Sequence, residues 1–296
     1  TVAFDGRETA PAAVGETLFL TPDGKPMEFH EAIVGGRAVG VPGVVRMLEA
    51  AHTEFGRLPW ASLFEPAIRL AESGFPVGQR LHALLRADPY LRRDPSAAAY
   101  FYDPDGQPVA VGSTLRNPEL AGVLRRIAGE GSRALHEGEL AQAIVDKVRQ
   151  HPDNPGHLSL SDLAVYTPRK LAPLCAPFRV YRVCSMPAPS SSNAMLAIVG
   201  LYERARPTPG GPAQLADWAA YLWASRLAYV DRDHYMADDR FVEAPTAALV
   251  ATEYLDQRAR LIDLHGSRAA MPVGTPAGEA LRARWGSAAM QEHGTT

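Results

Sequence analysis

What most limits the folds open to this chain is where its helical stretches are made to stop. In "GRAVGVPGVVRMLEAAHTEFGRLPW" a turn at Val41-Pro42-Gly43 leads into an amphipathic run. Val45, Leu48 and Ala51 or His52 share one face of it, and Gly56 ends it. "WASLFEPAIRLAESGF" repeats the pattern, with Leu63, Ala67, Leu70 and Ala71 on one side and Gly74 as the stop. Pro66 falls in its first turn, where a missing N–H is tolerated. Asn117 is placed to cap "PELAGVLRRIAGEG", with Pro118 at the first position, and "GELAQAIVDKVRQHP" gives a further helix. The longest helical run is "PAQLADWAAYLWASRLAYVDRDHYM", with Leu215, Trp218, Leu222 and Leu227 as expected core residues. "TAALVATEYLDQRARLIDL" adds a helix before a Gly/Pro loop and a polar tail. Strand signals are confined to the start, where "VAFDGRETAPAAV" turns at Asp5-Gly6, and to the region of residues 178–186. "DPYLRRDPSAAAYFYDPDGQPVAVGS" reads as a long surface excursion, and no internal repeat is visible.

A chain of 296 residues, 46% hydrophobic and 21% charged, has material for one large domain or two ordinary ones. Its net charge of -3 argues against a nucleic-acid partner, which selects a basic excess. Apolar runs such as "AMLAIVGLY" are too short to span a bilayer. The opening "TVAFDGRETAP" has no initiator Met and reads like the middle of a protein, so it carries no information on compartment. Cys175 and Cys184 lack companions at metal-ligand spacing. They read as unpaired thiols flanking a strand, with a disulfide in an oxidising compartment as the alternative. The nine histidines form no HExxH-like pair.

Four groups of residues carry candidate chemistry. Arg7 follows a strand and a turn, and its guanidinium fork can hold a carboxylate through two parallel hydrogen bonds. From spacing alone, a surface Arg paired with Asp5 or Glu8 is the simpler reading. "MPAPSSSNAML" offers Ser190 or Ser191 as a helix cap and contains no GxSxG elbow. "YVDRDHYMADDRF" gathers Asp231, Asp233, Asp238 and Asp239 without the alternation of a calcium loop. It reads as a solvated helix end with Arg232 and Arg240 as partners. Finally, "HGTT" places Gly294 before Thr295. Cleavage there would leave Thr295 with a free α-amine beside its own hydroxyl, so that one residue supplies both base and nucleophile. Gly294 suits such a cut because a glycine peptide tolerates strained backbone angles.

These blocks, in this order, resemble the γ-glutamyltranspeptidase family of N-terminal nucleophile hydrolases. The blocks are "FDGRETAP", "VGVPGVVRMLEAAHTEFGRLPW", "LFEPAIRLAESGFPV", "LRNPELAGVLRRIAGEG", "YVDRDHYMADDRFV" and the closing "HGTT". The resemblance implies an α+β fold, the αββα sandwich of that superfamily, of which this chain is the mainly helical large-subunit part. It implies residues 1–294 as a large-subunit region with its N-terminal part missing, and residues 295–296 as the first of the small subunit. It implies a scissile bond between Gly294 and Thr295, Thr295 as nucleophile, and Arg7 as the holder of the α-carboxylate of a γ-glutamyl group. The implied activity is transfer or hydrolysis of γ-glutamyl groups, for example from glutathione. The implied partner is a small subunit from the same precursor, the implied location is periplasmic or secreted, and no cofactor or metal is implied. A cephalosporin-type acylase of the same superfamily and a scaffold without activity of its own are the alternatives. One departure stands out: where the family reads Pro-Pro-Ser-Ser-Gly-Gly, this chain carries Ser192 and Asn193 in place of the glycines.

Overall fold

The computed structural model describes residues 1–276. Gly294, Thr295 and the expected cleavage site lie outside them. The described residues form a mainly helical α+β structure that divides into two compact units. One unit runs from Gly6 to Arg169, and the other joins Thr1–Asp5 to the chain from Lys170 onward.

In chain order the elements are β1 (Ala3–Asp5), α1 (Phe29–Ile33), α2 (Val44–Phe55), α3 (Glu65–Ser73), β2 (Phe75–Pro76), α4 (Gln79–Ala87), α5 (Pro95–Phe101), β3 (Thr114–Leu115) and α6 (Pro118–Glu130). They continue with α7 (Arg133–His136), α8 (Gly138–Arg149), α9 (Leu160–Val165), β4 (Arg169–Leu171), β5 (Leu174–Phe178), β6 (Tyr181–Ser185), α10 (Ser192–Ala205), α11 (Leu215–Tyr235) and α12 (Thr252–Ala259). The strands form three two-stranded ladders, β1 with β4, β2 with β3 and β5 with β6.

Local chemistry sets several of the helix ends in the Gly6–Arg169 unit. Gly74 takes φ 84° after α3, a conformation that would strain a residue with a Cβ. Asn117 Oδ1 accepts from the Leu120 amide at 2.8 Å, and Pro118 opens α6 as expected. The stretch expected as a surface excursion contains α5. Asp94 caps it by accepting from the Ala97 amide at 2.9 Å, with Pro95 in its first turn. The Asp-Pro pair there is a helix start rather than a turn, because the alanines that follow favour the helix. The core of this unit joins Val41, Ala141, Val145, Val148, Leu158, Leu163 and Tyr166.

In the other unit α10 packs on α11, with Leu201, Leu227, Tyr235, Leu249, Tyr254 and Leu255 buried between them and α12. Full burial of each such side chain contributes about 1.5–3 kcal/mol. Of the four residues expected in the core of α11, only Leu227 is buried. Leu215, Trp218 and Leu222 are exposed, because the helix turns Ala224 and Ala228 toward α10, with Ala220 also buried. Small residues there let the two helices approach closely.

Two further expectations are corrected in this unit. Cys175 and Cys184 form a disulfide, since the β5–β6 hairpin places them directly opposite one another with Cα atoms 4.1 Å apart. The acidic cluster is only partly solvated. Asp233 pairs with Arg232 at 2.8 Å and Asp238 with Arg240 at 2.6 Å, as expected. Asp231 is buried, however, and faces Arg258, itself buried, across two bonds of 3.0 Å. It also accepts from the Tyr254 hydroxyl at 2.7 Å and the Gly274 amide at 2.8 Å. Burial, followed by the bond to Asp231, pushes the Tyr254 phenol well above its ordinary range. Every lone-pair direction of Asp231 is therefore used, which is what lets a carboxylate persist in a dry interior.

Asp231→Asn leaves Arg258 buried without its counter-charge, and should lower stability by about 3–5 kcal/mol in urea unfolding. The paired replacement Asp231→Leu with Arg258→Met removes both charges together and should cost less than the single change, what remains being the loss of the acceptor for the Tyr254 hydroxyl and the Gly274 amide. A single substitution that unfolds at the parental midpoint would contradict the burial of this pair.

Candidate active-site segment

The segment that carries Arg7 lies at the start of the Gly6–Arg169 unit, and five contacts within that unit hold it. The first is a backbone-to-backbone approach that only glycine permits. A Cβ on Gly6 would stand 2.5 Å from Met47 Cβ, and one on Gly43 would stand 2.0 Å from the Tyr166 hydroxyl and 2.6 Å from the Gly6 carbonyl oxygen. No side chain fits in either place. The second contact is polar: the Tyr166 hydroxyl donates to the Arg7 carbonyl at 2.9 Å. The third is a bridge in which Val41 N–H donates to the Thr9 carbonyl at 2.8 Å. Gly40 packs on the Glu8 side chain as the fourth. As the fifth, the Ala12 amide donates to Asp162 at 2.9 Å.

Tyr166 and Asp162 are themselves fixed by α9. Ser159 and Asp162 close a capping box at its start, each side chain bonding the other's backbone amide. Burial works to raise the Asp162 carboxyl, but the Ser159 hydroxyl and the amides of Ala12 and Ser159 outweigh it and hold the group below its ordinary range. At the other end of α9, Arg46 from α2 donates to the Tyr166 carbonyl at 2.6 Å and to the Ala164 carbonyl at 3.3 Å. That satisfies carbonyls which the helix end leaves without partners. His136, buried beside them, bonds the Leu163 carbonyl at 2.8 Å and stacks on the Tyr166 ring. Desolvation lowers its pKa from the ordinary imidazole value, which disfavours the charged ring where it packs on Tyr166.

Against this anchored backbone the Arg7 side chain is exposed. An exposed arginine whose backbone is held in place suits the capture of an anionic group. The serine-rich turn belongs to the other unit. Neither Ser190 nor Ser191 caps α10 through its side chain. Ser191 occupies the cap position, but its Oγ accepts instead from Arg232 Nε at 3.0 Å. Ser192 and Asn193 form the buried first turn of α10, and Asn193 Oδ1 is the one buried side-chain polar atom without a partner among the described residues. No group of three or more His, Cys, Asp or Glu side chains among them is arranged to hold a metal ion.

Sequence reasoning singled out Arg7 but missed Tyr166, Asp162 and the Gly6–Gly43 approach. One signal was available: Ser159-x-x-Asp162 has capping-box spacing. The glycine contact had none, because it joins positions 37 residues apart that only the fold brings together. If these contacts set the segment, Gly43→Ala should lower stability by about 1–3 kcal/mol, the usual cost of overpacking. Tyr166→Phe should cost about 0.5–1.5 kcal/mol, the worth of one hydrogen bond. Urea unfolding of both variants measures this, and a Gly43→Ala protein as stable as the parent would show that the approach is slack.

Comparison with known proteins places the chain. The family described as gamma-glutamyltranspeptidase matches residues 1–296. The glutathione hydrolase proenzyme of Bacillus subtilis is 31% identical over 271 residues, which cover 89% of this chain and 44% of that protein. The acylase ACY 1 proenzyme of a Pseudomonas species, strain V22, is 34% identical over 90% of this chain and 48% of that protein. The crystal structure of Helicobacter pylori gamma-glutamyltranspeptidase superposes with a TM-score of 0.84 at 28% identity, covering 94% of this chain and 79% of that one. The chain thus spans about half the length of the curated relatives it matches. A family match along the whole sequence, carried through to the backbone by a solved member, shows that this chain belongs to the gamma-glutamyltranspeptidase family.

Proposed function

We propose that the chain is the large-subunit part, residues 1–294, of an enzyme that transfers or hydrolyses γ-glutamyl groups, with residues 295–296 opening the small subunit. The observation that carries this reading is the anchored segment at Arg7. Family membership supplies the reaction class, and the five contacts on residues 6–12 supply a rigid mount for the cation that such a substrate needs. Arg7 would take the α-carboxylate through its two-pronged guanidinium, which fixes the donor before any bond changes.

Thr295 would act twice. Its hydroxyl first attacks the Gly294 carbonyl, so that the peptide C–N bond breaks and an ester forms. Water then opens that ester, leaving a carboxylate on Gly294 and a free α-amine on Thr295. The amine next takes the hydroxyl proton as the same oxygen attacks the γ-carbonyl of the donor, for example glutathione. The amine of the leaving group departs with a proton, and water or an acceptor amine resolves the acyl-enzyme. This chemistry calls for no cofactor. The partner is the small subunit made on the same precursor. The Cys175–Cys184 disulfide supports an oxidising, periplasmic or secreted setting. Among the described residues no helix is long and apolar enough to cross a membrane.

A second reading is an acylase of the same superfamily. The likeness to the acylase ACY 1 proenzyme favours it.

Three variants in the full-length precursor test the main reading, scored by mass and by turnover of glutathione and of a glutaryl substrate. Thr295→Ala should remain one uncleaved chain without activity. Thr295→Ser should cleave and turn over more slowly, since it lacks the methyl that restricts the rotamer. Thr296→Ala should cleave like the parent. A cleaved Thr295→Ala protein would place the nucleophile elsewhere, and turnover of the glutaryl substrate alone would favour the acylase reading.

A further inference from the structure

His136 ends α7 and is almost fully buried, with 2% of its surface exposed. Its Nδ1 lies 2.8 Å from the Leu163 carbonyl oxygen. A carbonyl only accepts, so Nδ1 carries the hydrogen and Nε2 is the place left for a second proton. The same carbonyl also receives Arg46 Nη1 at 3.4 Å, and that nitrogen reaches the Ala164 and Tyr166 carbonyls at 3.3 and 2.6 Å. An imidazole and a guanidinium thus share one acceptor at the end of α9, where the chain turns into Tyr166. A neutral ring adds a second donor to this junction, whereas a protonated ring adds a second cation.

Several elements bring charge toward the ring. α2 supplies Arg46 and Glu49, and Glu49 is engaged by the Ser132 amide and hydroxyl at 3.1 and 2.5 Å. Glu137 follows His136 directly. α9 supplies Asp162, which is taken up by Ser159 and the Ala12 amide, and Tyr166 stands just beyond. From α6 and α8, Glu130 and Glu139 are exposed and pair with Arg126. Glu49, Glu137 and the face of the Tyr166 ring favour a cation at His136. Burial, the largest effect, and Arg46 oppose it and prevail. An imidazolium in this place reduces its cost only by moving toward water and away from Arg46. Such a move gives up the Leu163 bond and the stack on Tyr166, the residue whose hydroxyl holds the Arg7 carbonyl. We propose that His136 is a positioning residue for the donor: only with a neutral ring does it keep Tyr166, and through it the Arg7 segment, in the form that takes the γ-glutamyl carboxylate. The inference rests on reading Arg7 as the holder of that carboxylate, and adds acid-sensitive binding to it.

The test uses the complete processed enzyme and His136→Asn, whose amide can replace the Nδ1–H donor but takes up no proton. Ring resonances of His136 give its protonation midpoint, which should lie below the ordinary imidazole range. kcat and KM for a γ-glutamyl anilide are then measured about one pH unit above and about one below that midpoint. If only the neutral form binds the donor, the competent fraction falls about tenfold over this interval, and KM rises by the same factor relative to His136→Asn. The ratio of the two kcat values should stay constant, because saturating donor draws the protein into the competent form. A residue that serves stability alone would leave the two KM profiles parallel, and that result overturns the proposal. So does a ring that stays neutral until the protein unfolds in acid. A second readout needs neither turnover nor the variant: Tyr166 ring signals, assigned with Tyr166→Phe, should shift at the His136 midpoint in the parental protein. Tyr166 signals indifferent to that midpoint overturn the proposal too. If the anilide is not turned over at any pH while Tyr166 still follows His136, the γ-glutamyl reading has failed and the coupling between these residues has not.

Discussion

The approach of Gly6 to Gly43 beneath the Tyr166 hydroxyl is the contact on which the candidate site depends. It is set by distance rather than by attraction: a Cβ on Gly43 would stand 2.0 Å from the Tyr166 oxygen and one on Gly6 2.5 Å from Met47 Cβ, so neither glycine can carry a side chain. Once the two backbones meet, the Arg7 carbonyl falls within reach of Tyr166, and Thr9 pairs with Val41. Tyr166 can serve as a fixed post because α9 is fastened at both ends, by its capping box and by Arg46 from α2. The order of dependence therefore runs from α2 and α9, through two glycines and one tyrosine, to an exposed guanidinium whose backbone does not need to reorganise when an anion arrives. Preorganisation of this sort is what lets binding energy go into orienting a substrate.

The unit that begins at Lys170 solves a different problem. Its centre contains ionised groups, Asp231 and Arg258, that would be costly if either stood alone. Tyr254 and the Gly274 amide complete the set of donors, and Tyr235 donates to the Gly274 carbonyl at 2.7 Å. Both sides of the Gly274 peptide are thereby tied to α11, directly through Tyr235 and Asp231. A Cβ at Gly274 would come 1.9 Å from the Tyr254 hydroxyl, so the chain passes as close to α12 here as Gly43 does to Tyr166 in the other unit. In both units a tyrosine hydroxyl and a glycine backbone define where an otherwise irregular stretch of chain must run.

Much of the secondary structure was legible because its signals are local. α2, α3, α6 and α8 follow from apolar spacing together with Gly56, Gly74, Asn117 and Pro118 at their ends. α5 was not, since Asp94-Pro95 serves equally as a turn and as a helix start, and only the residues that follow decide. The faces of α11 were misread for a related reason. Its alanine side and its Leu/Trp side are both apolar, and hydropathy ranks the larger residues as core although the close approach of α10 needs the smaller ones. The Cys175–Cys184 pairing depends on a hairpin register, and the role of Asp231 on a partner 27 residues away, so neither could be read from neighbours in sequence. Arg7 was found through its resemblance to a family segment. The residues that hold it were not found, because a resemblance marks positions and leaves their mutual distances unstated.

The central claim is that Arg7, held by this mount, recognises the α-carboxylate of a γ-glutamyl donor. The most direct measurement compares two anilides in the complete processed enzyme: the γ-glutamyl anilide and the 4-aminobutyryl anilide, which differs only in lacking that carboxylate. kcat/KM for each is measured with the parental protein and with Arg7→Lys. A charge-assisted pair contributes about 1.5–3 kcal/mol, so Arg7→Lys should reduce kcat/KM for the glutamyl compound by about 10- to 150-fold. The 4-aminobutyryl compound should be almost unaffected, since a lysine ammonium keeps the charge but not the fork. An equal loss on both substrates, or none on either, would show that the carboxylate is held elsewhere and that the mount at Gly6 and Gly43 serves only the fold.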